Sequence, residues 1–149
     1  MYRYRRILAV VDLREDSLSV ARRAQAIAQA TPDAQLQLLH VVEYLPIEPL
    51  GDALLPVVQL EASLIDTARL RLDALAAQLE GVTPQCRIES GNVKGEILRV
   101  ARELQADLIV IGAHERHGLS ILVNLTEDTV LHGASCDVLA VRLPGPVRL

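Results

Sequence analysis

The residues able to do chemistry gather at two places in the chain. Asp12 closes the apolar run Arg6–Asp12, RILAVVD. Gly112, His114, Glu115, Arg116 and His117 follow a second apolar run inside Leu108–Ser120, LIVIGAHERHGLS. Both runs read as buried strands, and ligands of open α/β sheets bind just outside the carboxyl ends of strands. Asp12 can accept hydrogen bonds from a bound base or sugar, or it can serve only as a turn cap. His114, Glu115 and His117 are a metal set that lacks a third strong ligand, so no metal is expected. Ser120 lies near His117 in sequence, but no nucleophile elbow surrounds it. Asp12 or Glu115 could act as a general base only with a tuned pKa, which no motif here specifies. The expectation is a protein that is not an enzyme.

These residues need a scaffold, and hydrophobic periodicity supplies one. After Arg6–Asp12 comes a helix through about Ala30, capped by Asp16 or Ser17 and stopped at Thr31-Pro32. Gln35–Glu43 is the second strand. Tyr44–Pro56, with Pro46, Pro49 and Pro56, is a long irregular loop. The longest helix spans Val57–Glu80 and ends at Gly81. Its apolar stripe is Leu60, Leu64, Ile65, Ala68, Leu72, Leu75, Ala76 and Leu79. A weaker strand at Gln85–Ser90 belongs near a sheet edge. Gly91-Asn92 turns the chain into a helix over Val93–Gln105. The fourth strand is Asp107–Gly112. A helix then runs from Leu119 or Ser120 to His132, closed by Gly133, and Asp137–Arg142 is the fifth strand. Strands alternating with helices imply a parallel, doubly wound α/β sheet with right-handed crossovers.

Composition limits the function classes. The chain has 149 residues, half of them apolar, with no Phe or Trp and a net charge of −4. A core of Leu, Val, Ile and Ala suits buried parallel strands. Neither a basic footprint nor stacking aromatics are available for nucleic acid, so none is expected as a partner. Arg3, Arg5 and Arg6 read as a solvated lead-in to the first strand. Cys86 and Cys136 have no CxxC spacing and read as buried free thiols in strands. No apolar run is long enough to span a bilayer, and the start of the chain lacks a signal peptide pattern. A soluble cytoplasmic protein is expected, with an ordered domain over 1–143 and a tail over 144–149. The run Ile121–Leu125, ILVNL, is apolar nearly all round, and Val138–Val141 lies in a terminal edge strand. Together they favour a homodimer.

The sequence resembles the universal stress protein family. The likeness rests on ILAVVD at 7–12, LLHVVE at 38–43, SGNVKGEIL at 90–98, DLIVIGAHERHGLS at 107–120 and SCDVLAVR at 135–142. It implies a five-stranded parallel sheet, order 3-2-1-4-5, between two helical layers, similar to adenine-nucleotide alpha-hydrolase folds. It also implies cytoplasmic homodimers that pair through the last strand. ATP-binding members carry G-x-x-G, nine residues, then G-[ST]. Here Gly112 matches the first glycine and Thr126 the hydroxyl, but Glu115 and Leu125 replace the other two glycines. Asp12 matches the adenine-contacting carboxylate and Val41 the apolar position of the second strand. If a nucleotide binds, the resemblance assigns it to Asp12, Val41, Gly112 and Thr126. A glycine lets backbone amides approach phosphate at a helix N-terminus. Leu125 adds bulk there and Glu115 adds repulsion, for which Arg116 and His117 compensate only in part. The chain therefore resembles the subgroup without tight ATP binding, a non-enzymatic stress-response module acting through protein partners. The alternatives are an ATP- or AMP-binding regulatory module and a weak nucleotide hydrolase.

Overall fold

The computed structural model describes residues 3–43, 54–114 and 126–143, with side chains left out at 54–58, 114 and 126–128. Nine elements alternate: β1 (Arg6–Val10), α1 (Ser17–Gln29), β2 (Gln35–Glu43), α2 (Leu54–Ala77), β3 (Gln85–Gly91), α3 (Val93–Glu103), β4 (Leu108–His114), α4 (Thr126–Gly133) and β5 (Asp137–Leu143). The strands form one sheet in the order β3-β2-β1-β4-β5. All four pairings are parallel. This is the doubly wound architecture that the alternating pattern predicts.

The strands are apolar on both faces because both faces are covered. Ile7, Ala9 and Val11 point with Leu38 and Val110 toward one face. There Val20, Ala21, Ala24 and Ala28 of α1 and Leu72 and Leu75 of α2 close the core. Leu8, Leu39, Ile109 and Ile111 point the other way, against Ile97, Val100 and Ala101 of α3 and Val130 of α4. β1, paired on both sides, is the centre of the sheet.

Local chemistry fixes the ends. Asn92 caps α3 by accepting the Gly95 amide at 2.9 Å. Gly91 just before it has φ +147°, a conformation L side chains rarely adopt. The Asp107 carboxylate accepts the backbone amides of Arg5 at 2.9 Å and Arg6 at 3.0 Å, which ties the start of β1 to the start of β4. The amides of Gln25 and Gln29 both donate to the Glu80 carbonyl and pin the end of α2 to α1. Arg87 of β3 donates to Glu89 at 2.7 Å and to Glu103 of α3 at 3.0 Å. Hydrogen bonding from Arg87 holds the Glu103 carboxyl below its ordinary value.

Several boundaries differ from the sequence reading. α2 starts at Leu54, not Val57. Pro56 lies in its first turn, where a missing amide costs no intrahelical bond. β4 continues through Ala113 and His114, because β5 offers Arg142 and Leu143 as pairing partners. β1 ends at Val10, although the Val11 amide still reaches the Leu39 carbonyl at 2.9 Å. Asp16 takes the N-cap position of α1 but makes no side-chain cap bond. Cys136 falls in the turn before β5 rather than in a strand. Leu60 and Leu64, placed in the core stripe of α2, are 55% and 50% exposed. The irregular loop over 44–53 and the start of the last helix over 119–125 lie outside the described residues. So do Glu115, Arg116, His117, Ser120 and Leu125.

Candidate functional site

Parallel strands end together, and at their carboxyl ends the helices on the two faces diverge. A crevice of about 690 Å³ opens there. Its floor is Val10 to Asp12 from the end of β1, His40 to Glu43 from β2, and Ile111 and Gly112 from β4. One wall is Leu64, Thr67, Ala68 and Arg71 of α2, and the other is Val93 and Ile97 of α3. The volume is typical of a small-molecule site.

Asp12 does two jobs at once. Its Oδ1 accepts the Arg14 amide at 3.0 Å and the Ser17 hydroxyl at 2.9 Å. The first bond makes an Asx turn, and this turn holds Leu13 at φ +62°, in the left-handed region. The second anchors the start of α1, replacing the missing Asp16 cap. Oδ2 is 4.0 Å from the Arg14 Nε, a separation that contributes little between exposed groups. The turn-cap role of Asp12 is therefore real, and the carboxylate still borders the crevice.

That role predicts a cost. Ser17 is 4% exposed, so Asp12→Ala strands a buried hydroxyl along with the Arg14 amide. A loss of about 1–3 kcal/mol is expected in urea unfolding. A loss below about 0.5 kcal/mol would show that the turn holds without the carboxylate.

Val41 lines the crevice at 7% exposure and packs first into the core under α3. Gly112 also lines the crevice. A Cβ on Gly112 would stand 2.7 Å from Leu143 Cδ1 and 3.2 Å from Val20 Cγ2. Packing between α1 and β5 by itself favours a glycine here, with no ligand involved. Gly112→Ala is expected to destabilise by about 1–3 kcal/mol through overpacking, seen as a lower urea midpoint with an unchanged slope. An unchanged midpoint would mean that Leu143 swings aside freely. Thr126 opens α4 in the described backbone, but its side chain lies outside the described residues.

His40, Thr67, Arg71 and Arg14 also line the crevice, and the sequence reading assigned none of them to a site. The signals were faint: His40 alternates with the buried Leu39 and Val41, and Thr67 and Arg71 are four apart on one helix. His40 Nδ1 lies 2.8 Å from the Val11 carbonyl, an acceptor only, so Nδ1 carries the proton. Among the described residues no group of three His, Cys, Asp or Glu is placed to hold a metal. Both cysteines are free and half-buried. Burial pushes both thiols up, helped by Asp73 at Cys86 and by Asp137 at Cys136, so neither is an activated nucleophile.

A five-stranded 3-2-1-4-5 sheet with a crevice over β1, β2 and β4 narrows the relatives, and comparison decides among them. The sequence profile of the universal stress protein family matches residues 3–142. The chain belongs to the universal stress protein family. It is 36% identical to universal stress protein A homolog 2 of Coxiella burnetii over 146 residues, covering 97% of this chain and 99% of the relative. Universal stress protein A homolog 1 of the same organism is 37% identical over 139 residues, 93% and 96% of the two chains. Among solved structures, universal stress protein UspA from Lactobacillus plantarum superposes with a TM-score of 0.73 at 28% identity, covering 95% and 100%. In this universal stress protein no described helix is long and apolar enough to cross a membrane.

Proposed function

We propose that this universal stress protein is a non-enzymatic, dimeric stress-response module of the cytoplasm that does not hold ATP tightly. The observation that carries the reading is the pair Glu115 and Leu125, standing where ATP-binding members have glycines. A negative charge and an isobutyl group at a phosphate approach oppose binding by repulsion and by bulk. The non-enzymatic part draws support from Asp12, whose Oδ1 is committed to Arg14 and Ser17, and from two thiols that burial keeps protonated. The dimer draws support from β5, an edge strand with Val138–Val141 at its centre. Nucleic acid and membrane are not among its partners in this reading.

The test is the melting temperature with and without Mg-ATP, together with mass analysis of any ligand released from freshly purified, denatured protein. A ligand at 100 times its Kd stabilises by about 2.7 kcal/mol, which raises the Tm of a domain this size by about 5–11 °C. No rise and no co-purified ATP are expected. A rise of that size, or stoichiometric ATP, would overturn the reading in favour of an ATP- or AMP-binding regulatory module. The crevice bordered by Asp12 and Val41 is what favours that second reading. ATP turnover abolished by Asp12→Ala would instead make the protein a hydrolase.

A further inference from the structure

We propose that the α2 wall of the crevice is an oxyanion subsite, in which Arg71 and Thr67 receive the phosphate or carboxylate of a small, otherwise apolar metabolite. The proposal rests on the reading that the stretch from Gly112 to Thr126 no longer receives phosphate, and it places the anion on the opposite side.

Four observations converge on this wall. First, Arg71 lines the crevice, and among the described residues no carboxylate pairs with it. A guanidinium presents a planar fork of donors that matches phosphate and carboxylate. Second, Thr67 stands one turn before Arg71 and lines the same crevice, adding a hydroxyl on the same face of α2. Third, His40 of β2 lines the same crevice, and its Nδ1–H is spent on the Val11 carbonyl. Nε2 has no partner among the described residues and can accept a hydrogen bond from a hydroxyl of the ligand. Fourth, the far wall of Val93 and Ile97 is apolar, and so are Val10, Val41 and Ile111 of the floor. A polar cluster at one side of an apolar crevice is the usual layout of a site that orients an amphiphilic ligand.

The other charges of the crevice fit this direction. Asp12, two residues past β1, and Glu43, at the end of β2, repel an anion from the strand tips. An oxyanion is therefore drawn toward Arg71 and away from Asp12. Arg71 is exposed and outside the core, so its replacement leaves the fold intact.

The experiment is a ¹H–¹⁵N NMR titration of the full chain with inorganic phosphate, and separately with acetate, at constant ionic strength set by chloride. Saturable shifts are expected at the Arg71 Nε–H and at the amides of His40, Thr67 and Arg71. Arg71→Ala should weaken the affinity by about 10-fold or more, and Arg71→Lys should recover part of it, since charge returns without the fork. Tighter saturation by phosphate assigns the ligand to the phosphomonoesters, and tighter saturation by acetate to the carboxylates. Shifts that do not saturate, or that survive Arg71→Ala unchanged, overturn the subsite. Saturation centred on Gly112 and Thr126 and insensitive to Arg71→Ala overturns the disabled phosphate loop instead.

Discussion

Leu8→Ala is expected to lose about 2–5 kcal/mol of folding stability, the range for truncating a fully buried leucine. Leu8 is 0% exposed at the middle of β1, the strand paired on both sides. It packs with Ile97, Val100 and Ile109 between the sheet and α3. The cavity would lie between a strand that its neighbours hold on both sides and a helix that Asn92 and the Arg87–Glu103 pair hold in place. Neither side can collapse easily, so the upper part of the range is expected. Domains are stable by only about 5–15 kcal/mol, so this loss is a large share of the total. Leu70→Ala is the matched control. Leu70 is 72% exposed on α2, and its truncation should stay within about 0.5 kcal/mol. Urea unfolding of both variants decides it. Equal losses would mean that the two-faced core does not govern stability.

The contrast between Leu8 and the leucines of α2 shows what the sequence could reveal. β1, β2 and the helix after Asn92 were legible because apolar runs, the Thr31-Pro32 stop and the Gly91-Asn92 turn are local signals. Strand order and the edge position of β5 followed from the alternation of elements together with the family likeness. Periodicity also found the inner face of α2, yet it misplaced Leu60 and Leu64. A 24-residue helix is about 36 Å long, whereas the seven residues of β3 reach only about 23 Å. The helix overhangs its strand, and its first buried residue among those described is Ala68. The pattern of a helix says which face turns inward but not how far the sheet extends beneath it. The crevice wall lies where the overhang gives way to the packed part of α2, from Leu64 to Arg71.

The site was legible only where one residue type had one meaning. Asp12 could be placed at the crevice from the end of its strand. Its bonds to Ser17 and Arg14, and the left-handed Leu13 between them, depend on a turn geometry that leucine does not advertise. Gly112 carried the opposite ambiguity. The family motif reads it as room for a phosphate, whereas Leu143 and Val20 supply a packing reason that only the fold shows. A glycine in a motif therefore does not by itself argue that the motif works. The other two glycines of the motif stand at the positions held here by Glu115 and Leu125.

Restoring them gives the second large effect. Glu115→Gly with Leu125→Gly is expected to raise affinity for Mg-ATP by at least about 10-fold. Removing a like charge from beside a phosphate relieves roughly 1 kcal/mol in water and more at a protein surface. Each 1.4 kcal/mol is tenfold in affinity, and removing the leucine side chain adds backbone access at the helix N-terminus. Asp12, Val41 and Gly112 already share the crevice, so the double variant changes only the phosphate side. The measurement is a thermal shift and a calorimetric titration of the double variant beside the parent. The single variants separate the two causes. Glu115→Gly should carry a gain that shrinks as salt rises, because charge repulsion is screened. Leu125→Gly should carry a gain that salt leaves alone. An unchanged affinity in the double variant would show that the crevice lost its nucleotide for another reason. Asp12 would then be the first suspect, since Arg14 and Ser17 already occupy the Oδ1 of the only carboxylate the family likeness assigns to adenine.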